Sequence, residues 1–187
     1  MNGARDRQFE ILSRISRSLR QDYSTDVSAW QGSPFQWWKT RPSRQKGSIA
    51  ERLVARWCEA NGLRVEPSPD SDADRLIEGV RTEIKSSTLW SGGGYKFQQL
   101  RDQNYEIAIC LGISPFEAHC WVLPKRVILD GWGRYEGLVS QHGGRKGTDT
   151  AWLSVNPRSV PQWLQQYGGA LDDGLRVLRL SVARGNR

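Results

Sequence analysis

Residues 74–85 read DRLIEGVRTEIK, and this stretch predicts two strands that turn at a glycine. Asp74 lies near the start of the first strand, and Glu83 and Lys85 lie on the second. Side chains two residues apart in a strand point to the same face, so Glu83 and Lys85 project together, opposite Ile84. Two carboxylates and one ammonium on one face of a sheet favour a divalent cation between the carboxylates.

A helix is predicted directly ahead of this hairpin, over residues 47–62. Its apolar residues recur at helical spacing. Ser48 and Glu51 have the spacing of a capping box, and Gly62 is typical of the residue that follows a helix. Residues 41–47, RPSRQKG, are expected to form a basic hinge that leads into the helix.

The whole chain predicts an α/β fold with a mixed central β-sheet flanked by helices. An amphipathic, basic helix is expected over residues 7–21, and an irregular, aromatic-rich arm over residues 24–45. Trp30, Trp37 and Trp38 of the arm are expected in the core, with contact to bases or to a second copy as the alternatives. The other predicted elements are strands at 63–66, 105–113, 119–123 and 152–155, a helical turn or strand at 96–101, and helices at 124–130, 159–167 and 171–180.

Length and composition indicate a soluble globular chain of 187 residues, of which 37% are hydrophobic and 25% are charged. We expect an N-terminal helix and aromatic-rich arm over residues 1–46 and a single domain over residues 47–187. No run approaches 18 uncharged apolar residues and the N-terminus lacks an apolar signal core, so neither a membrane partner nor secretion is expected. Cys58, Cys110 and Cys120 form no CxxC pair and are expected to be buried free thiols of a cytoplasmic protein.

The charge of the chain is unevenly distributed. The formal net charge is +7, yet residues 57–90 have four basic and seven acidic residues. This distribution favours binding of a polyanion by the basic segments on either side. The clustered carboxylates between them favour a cation site. A solvated basic surface is the alternative.

The hairpin carries the groups that phosphodiester hydrolysis needs. Asp74, Glu83 and the carbonyl of Ile84 are oxygen donors of the kind that Mg²⁺ prefers. Lys85 can lower the pKa of an attacking water or stabilise the charge that develops on the phosphate. Two neighbouring carboxylates, at residues 70 and 72, compete for the ligand role of Asp74, whose place nearest the hairpin favours it.

These residues resemble the PD-(D/E)xK nuclease superfamily, which includes many type II restriction endonucleases and archaeal Holliday-junction resolvases. The resemblance rests on Asp74, on the sequence from Glu83 to Lys85 and on Glu51 in the preceding helix, and it covers about residues 47–123. It implies a catalytic site with Asp74 and Glu83 as metal ligands. It further implies that Glu51 holds a metal-bound water or a second metal.

The resemblance also implies a polar residue beside the scissile phosphate, for which Gln98 and Gln99 are the candidates. An exposed polar pair without a role is the alternative for these two glutamines.

DNA contacts are expected from basic residues outside the metal site. Arg145 and Lys146 lie in the glycine-rich loop 141–150, where an arginine can reach a guanine edge and a lysine a phosphate. A solvated hairpin tip is the alternative for this loop. The other expected DNA-binding residues are Lys96, Arg44 and Lys46.

The sequence therefore predicts a Mg²⁺-dependent, site-specific endonuclease of double-stranded DNA, similar to type II restriction enzymes, in a prokaryotic cytoplasm. Because cutting both strands usually takes two active sites, a homodimer is expected. A chain of this length leaves no room for an ATPase or methyltransferase domain, so no nucleotide cofactor is expected. The alternatives are a Holliday-junction resolvase or repair nickase of the same superfamily, and a catalytically inactive DNA-binding module.

Overall fold

The computed structural model describes residues 7–22, 28–141 and 149–185. Within these ranges the helices are α1 (Arg7–Asp22), α2 (Gln36–Lys39), α3 (Ser43–Ala60), α4 (Lys125–Gly131), α5 (Gln162–Gln165) and α6 (Leu171–Gly185). The strands are β1 (Val65–Pro67), β2 (Arg75–Ile77), β3 (Val80–Thr88), β4 (Tyr95–Leu100), β5 (Ile107–Ile113), β6 (Ala118–Pro124), β7 (Leu138–Ser140), β8 (Ala151–Val155) and β9 (Gly168–Ala170).

The strands form two sheets. The main sheet has six strands in the order β1-β2-β3-β5-β6-β9, in which β3 and β5 run parallel and the other neighbours run antiparallel. The second sheet is antiparallel, with the order β4-β8-β7. The predicted α/β fold with a mixed central sheet flanked by helices is therefore confirmed. The second sheet was not predicted.

Two apolar clusters cover the two faces of the main sheet. Helices α3 and α6 pack on one face, and the second sheet lies over the other. The helix side contains Val54, Ile84, Ile109, Val122 and Leu178. The side of the second sheet contains Phe97, Ala108, Cys110, Trp121 and Leu153. Strand β5 contributes to both clusters and is buried along its whole length, as its unbroken apolar sequence predicts.

The predicted hairpin is confirmed as β2 and β3. Glu78 and Gly79 form its turn, with φ angles of 51° and 81°. Two consecutive positive φ angles are typical of a type I′ turn, whose twist matches that of the two strands. The turn pairs Ile77 with Val80 and so fixes the register of the residues that follow.

Helix α3 begins at Ser43, so the predicted hinge over residues 41–47 is wrong. Pro42 precedes the helix with an extended ψ of 150°, which suits the residue just before a first turn. The indole N–H of Trp38 donates to the carbonyl of Lys46 at 3.2 Å. The preceding arm is thereby tied to the first turns of the helix, a tertiary contact that local sequence does not show.

The capping box predicted at Ser48 is wrong for the same reason, because Ser48 and Glu51 lie inside the helix. The predicted end is confirmed. Gly62 has a φ angle of 76° and donates its N–H to the carbonyl of Glu59, and Leu63 donates to Cys58. This pair of hydrogen bonds is the Schellman motif, in which glycine accepts the left-handed conformation without strain.

The aromatic arm is partly helical, because it contains α2. Trp30 and Trp38 are buried in the same cluster as α3, whereas Trp37 is half exposed. The expectation of a core role is thus confirmed for two of the three tryptophans. The division at residue 46 stays a prediction, although α3 runs across it.

The structure also bears on three further expectations from the sequence. The ambiguous segment 96–101 is a strand, and the helix predicted over 159–167 is reduced to the short α5. Cys58, Cys110 and Cys120 are buried and free, as expected. Among the described residues, no helix has the length and apolar character needed to cross a membrane.

Candidate active site

Asp74 lies immediately before β2, at the end of the hairpin that is opposite its turn. Its N–H donates to the carbonyl of Thr82 at 3.0 Å, and its Oδ2 accepts the N–H of Ile84 at 2.7 Å. The backbone of β3 therefore holds this carboxylate in place. Asp74 and the start of the Glu83–Lys85 sequence are brought together as the hairpin predicts.

Glu83 and Lys85 project together from β3. Lys85 Nζ lies 2.5 Å from Glu83 Oε1, and Glu83 is only 6% exposed. Burial raises the pKa of the Glu83 carboxyl, and the charges of Asp74 and Glu51 raise it further, while Lys85 opposes the rise. A buried carboxylate among other carboxylates is the electrostatic setting that a bound cation relieves.

Glu51 reaches the same site from the third turn of α3. Its Oε2 lies 3.4 Å from Nη2 of Arg75. Burial raises the pKa of the Glu51 carboxyl, the charge of Asp74 adds to the rise, and Arg75 and Lys85 oppose it. Because Glu51 lies inside the helix, a capping role does not explain it; its ion pair with Arg75 and the charge of Asp74 describe its setting.

The backbone of Ile84 supplies a further oxygen. The N–H and carbonyl of one strand residue point toward the same neighbouring strand. Since the Ile84 N–H points to Asp74, its carbonyl points to the same side of β3, past Arg75, the first residue of β2, which pairs with Thr82. The Ile84 carbonyl and the Asp74 carboxylate therefore lie on the same side of β3.

This donor set fits Mg²⁺ better than a soft metal. Among the described residues, no group of three or more His, Cys, Asp or Glu side chains is arranged to hold a metal ion by itself. Mg²⁺ is usually held by one or two carboxylates and keeps several waters. Two carboxylates, one carbonyl and water would therefore suffice here.

The structure separates Asp74 from its two competitors. Asp70 is exposed and forms an ion pair with Arg81, and that hydrogen bond lowers the pKa of its carboxyl. Asp72 donates its N–H to Asp70 at 3.0 Å. Of the three aspartates, Asp74 is the one hydrogen-bonded to the Glu83–Lys85 sequence, through Ile84.

Gln98 and Gln99 lie on β4, in the second sheet. Both are exposed, and the pairing of β4 with β8 is irregular at this point, where Gln99 has a φ angle of 59°. A β-bulge of this kind re-aims side chains. Their role beside the scissile phosphate stays a prediction.

Lys96 is linked by a hydrogen bond to the strand that carries Glu83 and Lys85. Its backbone N–H donates to Oγ of Ser87 at 2.9 Å, and Ser87 follows Lys85 by two residues on the same face of β3. The Lys96 ammonium lies 5.2 Å from the ring of Trp90 and 4.7 Å from the ring of Trp152. Two indoles thus hold one cation next to the site.

The other predicted DNA-binding residues have different settings. Arg44 is exposed in the first turn of α3. Lys46 is half-buried, and burial lowers the pKa of its ammonium, with Lys39 adding to the effect. Arg145 and Lys146 lie outside the described residues.

Sequence reasoning missed two residues of the site. Arg75 pairs with Glu51 and also donates to the carbonyl of Asp74 at 2.5 Å. Its place next to Asp74 in the sequence was a signal for a cation at the site. Tyr105 precedes β5 and lies within the electrostatic reach of Glu83, and no sequence pattern marks it.

Comparisons with known proteins add little to this geometry. No protein-family model matches the chain, and no curated protein matches it. Among solved structures, the chain is similar to a bacterial homing endonuclease, I-Ssp6803I, with 15% identity and a TM-score of 0.48 over 78% of this chain and 99% of that one. Similarity at this level carries nothing about activity, so the function has to be inferred from the site.

Proposed function

We propose that the chain is a Mg²⁺-dependent endonuclease of double-stranded DNA, similar to type II restriction enzymes and related to the PD-(D/E)xK superfamily. One observation carries the proposal. Asp74 is hydrogen-bonded to the N–H of Ile84, while Glu83 and Lys85 flank Ile84 on the same strand. We infer that this carboxylate pair, the Ile84 carbonyl and the Lys85 ammonium act together.

Each residue has a chemical role in this proposal. Asp74, Glu83 and the carbonyl of Ile84 would hold Mg²⁺, which when bound lowers the pKa of a coordinated water and neutralises phosphate charge. Lys85 turns from Glu83 toward the phosphate and stabilises the charge that develops there. Glu51, oriented by Arg75, accepts a hydrogen bond from water at the site.

The charge near the site supports DNA as the substrate. Lys96 is connected to the Lys85 side of β3 through Ser87, and two residues along a strand span about 7 Å. A lysine held over two indoles loses little freedom when it meets a phosphate. The net charge of +7 acts in the same direction at longer range.

A homodimer is part of the proposal, because a double-strand cut takes two active sites. Helix α1 exposes five large apolar side chains, and an apolar patch of this kind marks an interaction surface. The residues are Phe9, Ile11, Leu12, Ile15 and Leu19. We propose that a second copy of the chain binds to this apolar face of α1. Sedimentation of the purified protein tests the dimer. We also propose that the protein acts in the cytoplasm of a prokaryote.

The test is a cleavage assay on three DNA substrates, namely linear duplexes, nicked duplexes and four-way junctions. Each is incubated with Mg²⁺ and, as the matched control, with EDTA. We expect Mg²⁺-dependent double-strand cuts at one sequence, which sequencing of the ends of a digested genome would identify.

Each other result selects an alternative. Cutting of four-way junctions alone would identify a resolvase, and single-strand cuts alone would identify a nickase. Binding without metal-dependent cleavage of any substrate would leave a DNA-binding module and would overturn the proposed activity.

A further inference from the structure

Tyr105 has a buried hydroxyl that the fold leaves without a partner. The residue is 2% exposed, and its hydroxyl is one of three buried side-chain polar atoms that have no hydrogen-bond partner among the described residues. Buried hydroxyls nearly always have a partner, because removing one from water without compensation is unfavourable. An exception next to a candidate metal site calls for an explanation.

Glu83 and Asp102 are the carboxylates whose charges act on Tyr105. Tyr105 lies two residues before β5 and packs in the same apolar cluster as Ala108, which is paired with Glu83 on β3. Burial raises the pKa of the Tyr105 hydroxyl, and the charge of Glu83 raises it further. The Lys125 ammonium lies 5.8 Å from the ring centroid and bonds elsewhere, to the carbonyl of Gln103 at 2.9 Å.

We propose that Tyr105 is a positioning residue, whose hydroxyl donates a hydrogen bond to the Glu83 carboxylate once a divalent cation has displaced Lys85 from it. This inference rests on the proposed function, because it concerns the same metal site. It assigns to Tyr105 a positioning role that no sequence pattern indicates.

The reason lies in the change that a cation imposes on Glu83. In the structure, Lys85 Nζ is bound to Glu83 Oε1 at 2.5 Å. A divalent cation on this carboxylate repels the ammonium, so Glu83 loses that hydrogen bond at a position that is 6% exposed. The Tyr105 hydroxyl supplies the replacement and fixes the orientation of the ligand. Such partners of metal ligands strengthen metal binding.

The test compares two buried tyrosines, each replaced by phenylalanine. Tyr105→Phe removes a hydroxyl that has no hydrogen-bond partner among the described residues. Tyr95→Phe is the matched control, because Tyr95 is equally buried at 2% but its hydroxyl is bonded to His119 Nδ1 at 3.0 Å. Melting temperature is measured in EDTA, and affinity for Mn²⁺ without DNA is measured by the EPR signal of the free ion.

The two variants should behave in opposite ways. Tyr105→Phe should melt at or above the wild-type temperature and bind Mn²⁺ about tenfold more weakly. Tyr95→Phe should melt at a lower temperature and bind Mn²⁺ like the wild type. Asp74→Asn, which keeps an oxygen to accept the Ile84 N–H, should lose Mn²⁺ binding and so locate the ion.

Two results would overturn the inference about Tyr105. One is wild-type Mn²⁺ affinity in Tyr105→Phe while Asp74→Asn loses the ion. The other is a fall in melting temperature as large as that of Tyr95→Phe, which would mean that the hydroxyl has a partner in the metal-free protein. A different failure, equal Mn²⁺ binding by the wild type and by Asp74→Asn, would remove the proposed metal site itself.

Discussion

Two acidic regions lie beside the same hairpin, one at Asp70 and one around Asp74. They differ in how far neighbouring cations compensate the negative charge. Asp70 is exposed and meets one cation, Arg81, whose hydrogen bond lowers the pKa of the Asp70 carboxyl. One negative charge is matched by one positive charge, in contact with water. This pair stabilises its own ionised state and needs no further ligand.

The second cluster is crowded and half-buried. Within the described part of the chain, Glu51, Asp74 and Glu83 have only Arg75 and Lys85 as cations in direct contact. Burial and mutual repulsion raise the pKa of both glutamates despite these cations. In the Asp70–Arg81 pair the positive charge neutralises the negative charge. The cluster around Asp74 retains negative charge that a divalent cation can neutralise.

The largest effect expected from this difference is on cleavage. Asp74→Asn should lower Mg²⁺-dependent cleavage by roughly 100-fold or more, since the metal loses a charged ligand while the hydrogen bond to the Ile84 N–H is kept. Lys85→Ala should cause a loss of similar size and spare DNA binding. Initial cleavage rates and DNA-binding curves measure the two properties separately.

Asp70→Asn is the control for that experiment, because it removes one carboxylate of the same hairpin region. Its cleavage rate should stay within about threefold of the wild type, as for other exposed residues away from a site. Equal losses in Asp70→Asn and Asp74→Asn would erase the distinction between the two clusters.

A smaller effect is expected on the pH dependence of stability without metal. The fold raises the pKa of Glu83 above its ordinary value of 4.5. The stability that this shift contributes is present below that value and is lost as pH rises through the raised pKa. Glu83→Gln should therefore gain melting temperature relative to the wild type as pH rises toward neutrality.

Asp70→Asn should behave in the opposite sense. The fold lowers the pKa of Asp70 below its ordinary value of 3.8, so its contribution is present above that value and is lost as pH falls through the lowered pKa. The variant should melt below the wild type at neutral pH, with the difference fading in acid. Thermal scans in EDTA between about pH 3 and about pH 8 check both variants. A melting temperature of Glu83→Gln that falls relative to the wild type as pH rises would contradict the account.

The parts of the site that depend on local sequence were predictable. A glycine turn fixes the register of β2 and β3, and strand alternation then places Glu83 and Lys85 on one face. The start of α3 was not predictable in the same way, because it involves a contact between Trp38 and the Lys46 carbonyl. The helix start at Ser43 removes the capping explanation for Glu51.

Features that depend on pairing distant segments were missed. Strand β4 belongs to a second sheet because it pairs with β8, more than fifty residues later. This pairing sets the irregular position of Gln98 and Gln99 and brings Trp152 over Lys96. The partnerless hydroxyl of Tyr105 is likewise a property of the packed interior, and no spacing in the sequence indicates it.

The most direct test of the central claim is a crystal structure of the protein with Mn²⁺, using the anomalous signal to locate the ion. We predict an anomalous peak bounded by Asp74, Glu83 and the carbonyl of Ile84, with Lys85 Nζ moved away from Glu83 Oε1. A peak at Asp70, or density that leaves the contact between Lys85 and Glu83 intact with no ion beside Asp74, would contradict the account.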